Sequence, residues 1–155
     1  MKKICYKPIG VVHSPFRSRE DIEPMRNTRS RGFQNVRGKI EVFPPYEEGL
    51  KDISGFSHLI VLFVFHQSQA GRLLVRPPGR RSVRGVFATR SPHRPNPIGM
   101  TVVKLRKRRG NVLEISGLDI VEGSPVLDIK PYTPKDRKSS IRTGFLAPRK
   151  GRRRS

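Results

Sequence analysis

The apolar positions of this chain recur in short runs, mostly β-branched and separated by Gly, Pro or Ser. Segments near Pro8–His13, Val36–Phe43, His58–His66, Val83–Thr89, Ile98–Lys107, Val112–Leu118 and Val126–Lys130 therefore read as strands. In Lys39-Ile40-Glu41-Val42 and Leu113-Glu114-Ile115 polar and apolar residues alternate, which buries one face and wets the other. The run HLIVLFVFH, from His58 to His66, is apolar between its histidines and predicts a strand covered on both faces. Tyr46–Ile53 reads as a helical turn and Arg17–Asn35 as a polar, mobile connection. About seven short strands predict an all-β fold, a small antiparallel β-barrel with irregular loops, because closure removes exposed sheet edges. An open sandwich is the alternative.

The 155 residues provide for one domain, expected over 1–136, followed by a basic tail over 137–155. Lys and Arg number 33 against 12 Asp and Glu, a formal charge of +21. The imbalance is local. No acidic residue occurs between Ile53 and Leu113, where Arg72, Arg76, Arg80, Arg81, Arg84, Arg90, Arg94 and the basic run Lys104–Arg109 all fall. A polyanion is the natural partner of such a surface. The run PRKGRRRS from Pro148 is too polar to pack and is expected to be disordered. No apolar stretch reaches the roughly 18 residues a membrane span needs, and the N-terminus lacks the apolar core of a signal peptide, so a cytoplasmic protein without a membrane partner is expected. The single cysteine, Cys5, and four scattered histidines predict neither a disulfide nor a metal site.

Phosphate-cradling glycine loops and βαβ alternation are missing, which excludes the common nucleotide-cofactor domains. The informative stretch is GVFATRSPHRPNPIG, Gly85 to Gly99, expected to leave a strand at Ala88. Pro92, Pro95 and Pro97 stiffen it before any ligand arrives, and each fixed φ removes ordering entropy that binding must otherwise overcome. On it Arg90, Arg94 and Asn96 present forked hydrogen-bond groups suited to carboxylate, phosphate or a base edge.

Together with IGVVHSPF near the start, GFSHLIVLFVFHQS in the middle and GLDIVEGSPVLDIKPY later, this stretch resembles the TsaA-like (TrmO) family of S-adenosylmethionine-dependent tRNA methyltransferases. The resemblance covers about Ile9 to Tyr132. It implies a β-barrel, usually a homodimer, that methylates N6 of threonylcarbamoyladenosine in the tRNA anticodon loop, at position 37. By motif it also implies cofactor contacts at Ser14, Pro15, Phe16, Ser57, His58, Arg90, Met100, Leu118, Asp119, Ile120 and Val121. Phe16 offers a face for the adenine ring, Asp119 can accept from a ribose hydroxyl, and Arg90 can clamp the methionine carboxylate. Arg94, Asn96, Lys130 and Tyr132 are expected on the acceptor side, Arg94 against the threonyl carboxylate.

The activated methyl donor leaves the protein mainly the task of alignment, so no nucleophile is needed. Asp128 is the candidate for taking the N6 proton. In an extended strand Lys130 and Tyr132, at i+2 and i+4, share its face, and an ion pair between Asp128 and Lys130 is the structural alternative. Some family members carry a further domain after the barrel, so here RNA docking is expected to use barrel and tail. A non-catalytic RNA-binding barrel and a cofactor-sensing regulator are the competing functions.

Overall fold

Residues that alternate in polarity also alternate in burial. The computed structural model describes residues 2–26, 32–69 and 71–146. In chain order it contains β1 (Gly10–His13), α1 (Arg19–Arg26), β2 (Arg37–Val42), β3 (His58–Val64), β4 (Leu74–Val75), β5 (Arg84–Gly85), β6 (Ile98–Arg109), β7 (Val112–Ser116) and β8 (Pro125–Pro131). Six strands close an antiparallel barrel in the order β1-β2-β7-β6-β3-β8, while β4 and β5 form a separate two-stranded ribbon. Lys39 stands opposite Glu114 and Ile40 opposite Leu113, so the alternating segments pair in phase, charged residues outward and aliphatic residues inward. Val12, Ile40, Leu59, Val61, Val103, Leu113, Leu118 and Val126 are wholly buried inside. Each contributes about 1.5–3 kcal/mol by leaving water.

The expected antiparallel barrel is thus present, with six strands in its wall. Val83–Thr89 supplies none of them: Arg84–Gly85 belongs to the ribbon, and Val86–Ala88 is a 3-10 turn. Its apolar residues have no inward row to join, since only Val86 is buried while Val83 and Phe87 face solvent. The strand β3 also departs from expectation. Leu59, Val61 and Phe63 point inward, but His58, Ile60, Leu62 and Val64 are only half-buried, so its outer face is apolar and not covered. The Arg17–Asn35 connection contains α1, whose first turn is fixed by Asp21 accepting from the amides of Arg17 (2.8 Å) and Ser18 (3.0 Å). The helical turn near Tyr46–Ile53 forms as 3-10 helices at Pro44–Leu50 and Ile53–Gly55. The basic run from Pro148 lies outside the described residues. Among the described residues no helix is long and apolar enough to cross a membrane.

Candidate active site

Two aromatic rings form a floor at the end of β3. The Phe63 ring lies across Gly99 of β6, where a Cβ would sit 2.3 Å from the ring, so only glycine allows this approach. Phe65 meets it edge-on, the centroids 5.0 Å apart. Above them the segment Asp119–Val121, the loop residues Pro92 and His93, and Arg19 and Ile22 of α1 line a partly open, largely apolar cavity. The loop is tied to the helix. Arg19 Nη1 donates to His93 Nε2 at 3.0 Å, while His93 Nδ1 faces Ser68 Oγ at 2.8 Å and the Gln69 carbonyl at 3.1 Å. A guanidinium can only donate, so the ring carries its proton on Nδ1.

Past Phe63, Phe65 and Asp119 the cavity continues into an open hollow lined by Thr89, Arg90, Arg94, Asn96 and Met100. Arg94 is partly engaged by its own loop, donating to the carbonyls of Thr89 (3.3 Å) and Ser91 (3.4 Å). Arg90 is exposed and has no hydrogen-bond or ion-pair partner among the described residues. At the junction, Oδ1 of Asp119 is buried with no donor among the described residues. An unpaired buried acceptor costs about 1–3 kcal/mol, so a ligand hydroxyl that donates there is favoured. An apolar cavity, a carboxylate acceptor and a free guanidinium in that order fit a flat heterocycle, a hydroxylated sugar and a carboxylate. Those are the parts of the S-adenosylmethionine that the resemblance implies.

Arg90, Arg94, Asn96, Met100, Asp119, Ile120 and Val121 are therefore brought together. Other expected contacts are not. Phe16 is buried and packs edge-on against Phe33, centroids 6.1 Å apart, so its ring has no free face for an adenine. Leu118 is a core residue whose side chain lies over Gly38, leaving only its backbone for a ligand. Ser14 and Pro15 line a second, polar hollow with His13, Arg37, Lys39 and Glu122.

Ser57, His58, Asp128, Lys130 and Tyr132 form a group of their own outside the barrel. Asp128 and Lys130 stand opposite Leu62 and Ile60 of β3, and the His58 and Tyr132 rings meet edge-on at 6.4 Å. Asp128 holds Lys130 Nζ at 2.6 Å and accepts from the Ile129 amide at 3.0 Å, which is the structural ion pair anticipated as the alternative. Leu62 also pairs with Met100 on its other side. Two strand spacings, roughly 10 Å, thus separate Asp128 from the wall of the hollow.

Sequence reasoning passed over Phe63, Phe65, His93, Arg19 and Ile22. Both rings lie in the His58–His66 run, whose even hydrophobicity does not set them apart. The helix had a readable signal in Ser18 followed by Asp21 three positions later, a capping pattern just before Ile22. A further missed element is His13, whose Nε2 lies 2.9 Å from Glu41 and Nδ1 3.3 Å from Glu122. The hydrogen bond to Glu41 raises the imidazole pKa above its ordinary value, with partial burial opposing and Glu122 assisting. Glu122 also accepts from the Ser14 amide, so this clamp joins the HSPF and GLDIV segments.

Residues 11–136 match the family model described as the tRNA-methyltransferase O N-terminal domain. The chain is 48% identical over 144 residues to a probable S-adenosyl-L-methionine-binding protein of Pyrococcus abyssi, covering 92% of this chain and 76% of that one. It is 40% identical over 145 residues to the tRNA (adenine(37)-N6)-methyltransferase of Escherichia coli K12, covering 86% of this chain and 60% of the enzyme. The crystal structure of TrmO from Pseudomonas aeruginosa superposes with a TM-score of 0.74 at 37% identity, covering 94% of this chain and 63% of that one. The chain spans about three-fifths of the length of these two enzymes.

Proposed function

The chain belongs to the tRNA-methyltransferase O N-terminal-domain family, and on that premise we propose that it methylates N6 of threonylcarbamoyl-modified adenosine 37 in tRNA. The observation that carries this reading is the buried, donor-less Oδ1 of Asp119 between an apolar cavity and the free Arg90. When bound, S-adenosylmethionine supplies a methyl carbon activated by a sulfonium; its transfer to N6 breaks the C–S bond, leaves a neutral thioether and releases one proton.

The residues of the chain align the reactants. Ile120, Val121 and Phe65 exclude water from the heterocycle, Asp119 accepts from the ribose, and Arg90 pairs with the methionine carboxylate. Arg94 and Asn96, on the same stiff loop, face the acceptor, where Arg94 can exchange its carbonyl contacts for the threonyl carboxylate. The N6 proton then needs an acceptor, and Asp128 is our candidate.

Asp128 lies outside the hollow of its own chain, and this favours a homodimer. The outer face of β6-β3-β8 exposes Ile98, Met100 and Val102 beside half-buried Ile60, Leu62 and Val64. A second copy covering that face would bury the apolar stripe and carry Ser57, His58, Asp128, Lys130 and Tyr132 toward the first copy's hollow.

Calorimetric titration with S-adenosylmethionine, and methyl transfer to tRNA from cells with and without the threonylcarbamoyl modification, test the reading together. We expect binding that Arg90→Ala weakens by about 1.5–3 kcal/mol, and methylation of the modified pool alone. Cofactor binding with no methylation of either pool would mark a sensing regulator. RNA binding without cofactor binding would mark a non-catalytic barrel.

A further inference from the structure

At 76% exposure Phe87 is the most exposed large apolar side chain among the described residues. Its backbone is anything but loose. Buried Val86 pins the turn from below, the Val86 amide donates to the Leu73 carbonyl at 2.8 Å, and both the amide and the hydroxyl of Thr89 donate to the Val86 carbonyl, at 3.0 and 2.8 Å. A rigid turn therefore holds an aromatic ring in water. Two and three residues later, Thr89 and Arg90 line the hollow that Asp119 shares. Arg84 and Arg90 flank the ring at three positions on either side, and no carboxylate occurs between Ile53 and Leu113. The Arg84 guanidinium sits 4.9 Å above the Phe145 ring, an arrangement that uses its face and leaves its N–H edge for an anion.

We propose that Phe87 is a stacking platform for an unpaired nucleobase of the acceptor RNA, next to the nucleotide that enters the hollow, with Arg84 on an adjoining phosphate. Single-stranded nucleic acid is recognised by this combination, aromatic faces for bases and cations for the backbone. A protein occupant fits less well. In a two-fold contact the patch would meet itself, arginine against arginine, with no carboxylate of this region to offset the repulsion. The proposal rests on the RNA-methyltransferase reading and adds to it how the acceptor strand is held.

The chain has no tryptophan, so Phe87→Trp places a single indole at the platform. We expect its emission to be solvent-exposed in the free protein and quenched on titration with threonylcarbamoylated tRNA. Phe87→Ala should raise Kd and KM for tRNA roughly fivefold to tenfold. Phe87→Tyr should restore both, whereas Phe87→Leu, which keeps apolar area without a π-face, should not. Cofactor affinity and the salt dependence of RNA binding should be unchanged in Phe87→Ala, because no phosphate contact is lost.

Wild-type binding and methylation of the same tRNA are measured first. Their absence removes the reading and the proposal together. Wild-type methylation with an unaffected KM in Phe87→Ala removes the platform alone. An indole already shielded without RNA, increasingly so with protein concentration, would assign the ring to a protein contact and overturn the proposal.

Discussion

At the scale of single residues, Asp119 and Gly99 show how the site is paid for in different ways. Gly99 costs the fold little, because removing a side chain lets Phe63 pack flat against β6 and seal the core beneath the cavity. Asp119 is a liability: its Oδ1 is buried without a donor, and nothing in the barrel compensates it. Replacing it with Ala removes both the buried acceptor and the ligand contact. The melting temperature of the ligand-free protein is therefore expected to stay constant or rise, while cofactor affinity falls by about 1.5–3 kcal/mol. Scanning fluorimetry and calorimetry on the same samples check the two halves. A lower melting temperature with unchanged affinity would make Asp119 a structural residue.

At the scale of elements, legibility followed the source of each element's stability. The strands β2 and β7 were readable because Lys39, Ile40, Glu114 and Leu113 alternate, and one wetted face is all that such a pattern requires. The uninterrupted run in β3 concealed an outer face that the monomer does not cover, and α1 was hidden in a polar stretch that anchors toward the cavity through Ile22. The prolines and arginines of Gly85–Gly99 mark a stiff loop rich in hydrogen-bond donors, but its tether to α1 through His93 and Arg19 depends on residues 74 positions apart. The His13 clamp is equally non-local, drawing on Glu41 and Glu122, and it has a pH consequence. The folded-state pKa of His13 is raised above 6.5, so the folded protein holds that proton more tightly than the unfolded chain. The stabilisation is complete below 6.5 and is lost as pH rises through the raised value. The side chain is 44% exposed, so solvent screening keeps the effect modest. We expect the melting temperature to fall as pH rises above 6.5, and the difference between wild type and His13→Asn to shrink with it. A pH-independent difference between the two proteins would show that the clamp does not hold an imidazolium.

At the scale of the whole molecule, the expected site residues divide into two groups that one barrel does not unite. Asp119, Arg90 and Met100 face the hollow, whereas Asp128, Lys130, Tyr132 and His58 lie across the outer face of β3 and β8, with Leu62 between Met100 and Asp128. The outer face of β6, β3 and β8 carries the apolar stripe Ile98, Met100 and Val102, with Asp128 on the strand beyond Leu62. A homodimer through that stripe predicts that each site takes its cofactor pocket from one copy and its proton acceptor from the other. Assayed at a cofactor concentration near the wild-type Kd, Asp119→Ala and Asp128→Asn are then each expected to be nearly inactive alone. When the two variants are co-expressed with different tags, half of the dimers are mixed, and each mixed dimer has one site with both groups intact and one with neither. Random assortment restores on the order of a quarter of wild-type activity. Tandem affinity purification isolates the mixed species, which should carry about half of wild-type activity per dimer. If mixed dimers are as inactive as their parents, both groups act within one chain. If Asp128→Asn is fully active by itself, Asp128 is only the ion-pair partner of Lys130, and the proton leaves by another route.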